Sequence, residues 1–191
     1  MNNHENWRSI FEYKKDLPLI FIHTPKCGGT YVGRILKDLN VLNKGHVQAI
    51  EGEGINFTVI RNPIERFESL INFRLNEKTP RNDWPKNLQP VHWNKNININ
   101  EVVGMMGDNE ILGFSPYRTL KYWAKNIDIL ITIDQLPEFL KSAGYSCNFS
   151  DYKRINVSSR SRGEFNKETR DRIEILYSED ILFFDKSINS A

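Results

Sequence analysis

Only two cysteines occur in 191 residues, Cys27 and Cys147, and 120 positions separate them. That is too few for a disulfide framework or a cysteine-rich metal site. Long apolar runs are missing too. Runs such as Leu19–Ile22 and Ile129–Ile131 fall far short of the roughly 20 residues that span a bilayer. The opening MNNHENWRSIFEYKK shows no basic start followed by an apolar h-region. The expectation is a cytoplasmic protein of a reducing compartment with no membrane insertion. An excess of one charge is also absent: 26 Lys and Arg face 24 Asp and Glu, a formal net charge of +2, with no long single-sign block. A chain that wraps a polyanion is usually more basic, so nucleic acid is not an expected partner. A local basic pocket for a small anion remains open.

What is present belongs to a folded globular chain, 39% hydrophobic and 12% aromatic, of a length that suits a single domain over residues 1–191. Residues 1–16 read as a polar lead-in. Pro18–His23 is a short strand-forming run, followed at once by a Gly-containing turn and then by Tyr31, Val32, Ile35, Leu36 and Leu39 at helical spacing. A second strand, Phe57–Ile60, runs into Arg61-Asn-Pro-Ile-Glu-Arg. There Asn62 suits an N-cap, Pro63 the first helical position and Glu65 the capping-box site. Residues 76–116, rich in Asn, Pro and isolated Trp, read as an irregular surface excursion. Order returns as a helix near 116–125, a strand over 127–133, a helix over 137–143 closed by Gly144, a polar loop 158–163 and a helix over 164–177. Ile181–Phe184 forms a last apolar segment. Strands alternating with helices predict an α/β fold with a central parallel β-sheet flanked by helices.

Two segments carry chemistry. Pro25-Lys-Cys-Gly-Gly-Thr30 leads into a helix N-terminus, where backbone N–H groups lack intrahelical partners and the dipole favours an anion. Its glycines let the backbone close around a phosphate, Lys26 adds a charge and Thr30 a hydroxyl. The Lys precedes the glycines, so this is not a Walker A loop. The bland alternative is a tight turn with a solvated lysine. The second segment places Arg61 at the end of a strand and Ser69 eight residues on, a spacing that lets both reach one anion above the sheet edge. Taken alone, Arg61 suits a surface ion pair and Ser69 a solvated helix face.

Together these segments resemble the sulfotransferases that use 3′-phosphoadenosine 5′-phosphosulfate (PAPS). Ile22-His-Thr-Pro-Lys-Cys-Gly-Gly-Thr30 is similar to the family's first signature, whose loop holds the 5′-phosphosulfate. Val59-Ile-Arg-Asn-Pro-Ile-Glu-Arg-Phe-Glu-Ser69 is similar to the second, whose Arg and Ser hold the 3′-phosphate. With Gly45-His-Val47 upstream, the chain looks most similar to the carbohydrate branch, above all the uronyl and heparan sulfate 2-O-sulfotransferases. The resemblance implies a P-loop-NTPase-like sulfotransferase fold and a transfer to a hydroxyl acceptor, expected to be a carbohydrate or glycoconjugate. It leaves adenosine 3′,5′-bisphosphate as product and calls for no metal. Lys44 stands where that branch can have a second histidine, and a luminal anchor of the kind that branch carries in animals is not expected.

The resemblance implies cofactor contacts from Pro25, Lys26, Cys27, Gly28, Gly29, Thr30, Tyr31, Arg61 and Ser69. To these a basic loop adds Arg160, Arg162 and Gly163, which a solvated turn explains equally well. Lys26 would stabilise the leaving phosphate and His46 would be the base, since an imidazole titrates near neutral pH. His23, which ends a strand, and His92, beside Trp93, are the other candidate bases. Trp84, His92 and Trp93 could stack on a sugar or anchor their loop. Arg66 suits a structural ion pair, and Cys27 a bystander thiol at a variable loop position. A P-loop-like small-molecule kinase and a non-catalytic nucleotide- or glycan-binding module are the competing expectations.

Overall fold

The computed structural model describes residues 3–77, 88, 96–113, 118–152 and 163–189. In chain order the elements begin with α1 (Asn3–Tyr13), β1 (Leu19–Phe21), α2 (Gly29–Asp38), β2 (Leu42–Asn43), β3 (Ile55–Val59) and α3 (Pro63–Leu75). They continue with α4 (Ile99–Gly104), α5 (Asp108–Leu112), α6 (Leu120–Trp123), β4 (Ile129–Ile131) and α7 (Leu136–Ser142). A 3-10 turn (Phe149–Asp151), α8 (Lys167–Leu176) and α9 (Ser178–Asn189) complete the series. It divides into two compact units, residues 1–61, 119–155 and 182–191 in the first, 62–118 and 156–181 in the second.

The first unit holds the four-stranded sheet, ordered β2-β1-β3-β4 with every pairing parallel. Both faces of such a sheet are covered, which is why β1 and β3 are buried at every position rather than at alternate ones. Register aligns Leu19 with Ile55, Phe21 with Phe57, and Phe57 with Ile129, so their side chains share one face. That face forms the main core with Val32, Ile35 and Leu36 of α2 and Phe139 and Leu140 of α7. The three α2 residues recur at the helical interval their sequence predicts and are fully buried. Ile20, Ile22 and Ala49 form a smaller cluster separate from this core.

The expected polar lead-in is instead largely α1. Trp7, Ile10 and Phe11 fall on one helical face, and Trp7 sets its ring edge-on to Phe139 at a centroid distance of 5.5 Å.

In the second unit, α3 starts as its sequence predicts. The Asn62 side chain accepts hydrogen bonds from the Ile64 and Glu65 amides at 3.0 and 3.4 Å, and Pro63 opens the helix. Its stripe of Ile64, Phe67, Leu70 and Ile71 packs with Ile99, Val102 and Val103 of α4, Ile111 of α5 and Ile173 of α8. These contacts correct the irregular reading of 76–116, within which α4 and α5 both lie. The Asn-rich tract supplies a cap there: Asn98 and Glu101 close a capping box that begins α4. Arg66 is buried and donates to the Arg118 carbonyl at 2.9 Å, a structural role. The apolar segment at 181–184 belongs to α9. Among the described residues, no helix is long and apolar enough to cross a membrane.

Candidate functional site

The sheet order brings the chemistry-bearing segments of the first unit to one edge. From β1 the chain passes through α2 to β2 on one side, whereas β3 lies on the other side of β1. Strand order reverses there, and in open α/β sheets a ligand crevice forms at that point, outside the carboxyl ends of the strands. The loop after β1 carries Lys26, and Arg61, half-buried, lies two residues beyond β3.

Hydrogen bonds fix where β1 ends. The Ile22 amide donates to the Phe57 carbonyl at 2.9 Å, and the Thr58 hydroxyl donates to the Ile22 carbonyl at 2.6 Å. Thr58 has a single proton, so Thr24 is the donor in the 2.8 Å bond between the two buried hydroxyls. The loop then turns through two left-handed residues, Lys26 (φ 65°) and Gly28 (φ 85°). Glycine takes this conformation without penalty, whereas Lys26 holds it at a cost of roughly 1 kcal/mol. The first α2 amides to reach a backbone acceptor are Tyr31 and Val32, both on the Gly28 carbonyl. The Gly28, Gly29 and Thr30 amides therefore stand at the helix N-terminus, where an anion would be held. Pro25 is buried, Tyr31 is half-buried against the main core, and Thr30 is exposed. Cys27 packs inward, its Sγ donating to the Pro25 carbonyl at 3.6 Å, in keeping with a bystander thiol.

Pairing between β1 and β2 continues beyond both strands. The Lys44 amide donates to the Phe21 carbonyl at 3.0 Å and the His23 amide to the Gly45 carbonyl at 2.9 Å. This draws Gly45-His46-Val47 alongside the exit of β1. The imidazoles of His23 and His46 lie 4.1 Å apart between ring centroids, tilted by 62°. His46 is exposed, with buried Trp123 at 6.4 Å on another side. Lys44 forms an ion pair with Glu53. His23 is half-buried, stacked on Phe21 at 5.9 Å, and seated directly on Gly29. A Cβ on Gly29 would fall 1.8 Å from His23 Nε2, so no side chain fits there while the ring stays. Gly29 is thus needed by a histidine, a requirement distinct from the phosphate role read from its sequence.

The environment separates the two imidazoles. Burial, then the proximity of His46 and of Lys26, lowers the His23 pKa to about 4, while burial alone lowers that of His46. Both rings are shifted toward the neutral form, and His46 is the one exposed to solvent. A depressed histidine pKa favours folding above the unfolded value of about 6.5, and this contribution disappears as the pH falls toward 4. With residual solvent screening it is on the order of 2 kcal/mol. Urea midpoints at pH 7 and pH 4.5 should therefore differ more for the wild type than for His23→Ala, because carboxylates contribute equally to both. Equal differences would contradict this environment for His23.

Ser69 lies half-buried on α3 in the second unit. Asn72, three residues on and on the same helical face, donates to the Gly163 carbonyl at 3.2 Å. Ser69 and the end of the basic loop are thereby brought to one side of α3. His92, Trp84, Trp93, Arg160 and Arg162 lie outside the described residues. Among those described, no group of three or more His, Cys, Asp or Glu is placed to hold a metal. Sequence reasoning missed the pairing of His23 with His46 and its seat on Gly29. The only available signal was a histidine two residues before the turn. Comparison of the chain with protein-family models, curated proteins and solved structures gave no match.

Proposed function

We propose that the chain is a PAPS-dependent sulfotransferase of P-loop-like architecture that sulfates a hydroxyl, with a carbohydrate or glycoconjugate as acceptor. The observation that carries the reading is the exit of two neighbouring parallel strands, one into the Lys26 loop and the other into Arg61, at the reversal of strand order. Lys26 and the amides from Gly28 to Thr30 would hold the 5′-phosphosulfate and Arg61 the 3′-phosphate, for which the resemblance also names Ser69. The donor supplies a sulfuryl group, whose bond to the bridging phosphate oxygen breaks as the acceptor oxygen bonds to sulfur. Lys26 would offset the charge left on that phosphate. His46, neutral and exposed, would take the acceptor's hydroxyl proton.

Thermal unfolding with adenosine 3′,5′-bisphosphate, against matched 5′-AMP and ATP, tests the reading. A ligand bound only to the folded state stabilises by about 2.7 kcal/mol at a hundredfold excess over Kd. The expected result is a shift specific to the bisphosphate and lost in Arg61→Ala. A larger shift with ATP would favour a kinase, and no shift with any nucleotide would sink the cofactor assignment.

A further inference from the structure

His46 is exposed, follows a left-handed glycine (Gly45, φ 70°), and its side chain makes no hydrogen bond among the described residues. A surface imidazole of this kind turns freely about two bonds unless something holds its ring. The ring nearest to it is that of His23, at 4.1 Å. His23 itself has little freedom. Its backbone is tied to Gly45, its ring is stacked on Phe21, and it fills the space a side chain at position 29 would occupy. One imidazole is therefore fixed and the other leans on it.

We propose that His23 is a positioning residue for His46: its imidazole, wedged between Phe21 and Gly29, sets the orientation in which the His46 ring meets the acceptor hydroxyl. The role rests on the sulfuryl-transfer reading only in that His46 takes a proton. It also gives Gly29 a second duty, because the residue that opens the phosphate-side helix is the floor on which the positioning ring sits. The charged and titratable groups that act on His23 are His46 and Lys26.

The test is 15N NMR of the histidine side chains in the full chain, for wild type, His23→Ala and Gly29→Ala. Gly29→Ala leaves His23 in place but pushes its ring off the helix end, so two different perturbations address one contact. In the wild type, the His46 side-chain signals should be displaced from free-imidazole values by the His23 ring, with a midpoint below the ordinary histidine value. In both variants its signals should move to the averaged pattern of a free imidazole, with the midpoint rising. In His23→Ala, turnover should fall about tenfold in kcat with the donor KM unchanged. The double variant should be no less stable than His23→Ala, because the alanine at 29 then has nothing to displace. An unchanged His46 spectrum in both single variants overturns the positioning role, whatever the reaction. Displaced His46 signals in a protein that binds no adenosine bisphosphate would uphold the contact and overturn sulfuryl transfer instead.

Discussion

Replacing Lys26 with alanine should lower sulfuryl turnover by about 10² to 10³, the usual cost of removing one preorganised group from a developing negative charge. Donor binding should weaken far less, because the Gly28–Thr30 amides and Arg61 remain. The split follows from where charge builds up. In this reading the ground-state donor is already anionic and is met by several groups, whereas the new charge on the leaving phosphate oxygen falls to Lys26 and the loop amides, among which Lys26 brings the full charge. Alanine is as ill-suited as lysine to a φ of 65°, so the exchange leaves the backbone preference of the loop unchanged. Lys26→Arg should retain part of the activity, since charge is kept while reach and geometry alter. Steady-state kcat beside bisphosphate affinity reads both effects, and normal turnover in Lys26→Ala would remove the residue from the mechanism.

Phe57→Ala should destabilise the chain by about 3 to 5 kcal/mol, the range for truncating a buried phenylalanine. Phe57 is fully buried at the middle of β3, in register with Phe21 on one neighbouring strand and Ile129 on the other. Its ring lies 5.2 Å from that of Phe21 and 4.7 Å from that of Phe139. An alanine leaves a void walled by two rings attached to separate elements, and neither can move in without breaking strand register. Such a loss is a large share of the 5 to 15 kcal/mol by which domains are typically stable. Urea unfolding should show a lower midpoint with an unchanged slope. A loss below about 1 kcal/mol would mean that the neighbouring rings collapse into the gap.

The parts of the fold legible in the sequence are those with local causes. Asn62, Pro63 and Glu65 announce the start of α3 within four residues, and Val32, Ile35 and Leu36 declare the buried face of α2 by spacing alone. The unbroken apolar run of β1 pointed to a strand, and the alternation of strands with helices to a parallel sheet flanked by helices. What escaped was decided by packing at a distance. Trp7, Ile10 and Phe11 already carry a helical interval, but their neighbours are polar, and only the contact with Phe139 makes that face count. Helices α4 and α5 are six and five residues long, too short to persist by propensity, and are held by α3 and α8. In the candidate site, the loop at 25–30 was readable because its chemistry is contiguous. The pairing of His23 with His46 was not, since it arises from the neighbouring positions of β1 and β2 in the sheet, which no local pattern encodes.

The sheet order also has a consequence during synthesis. Strand β3 is flanked by β1, already made, and by β4, whose residues pair with partners 72 positions earlier in the chain. At translation speeds of about 5 to 20 residues per second, β4 leaves the ribosome roughly 4 to 14 s after the strand it must cover. Throughout that interval the run Ile-Asn-Phe-Thr-Val presents a bare row of amides and carbonyls, the kind of edge that recruits other nascent chains. The yield of soluble protein therefore depends on elongation rate and chaperone access as well as on native stability. Slower expression at lower temperature, which weakens association between exposed edges, is the regime that suits this topology.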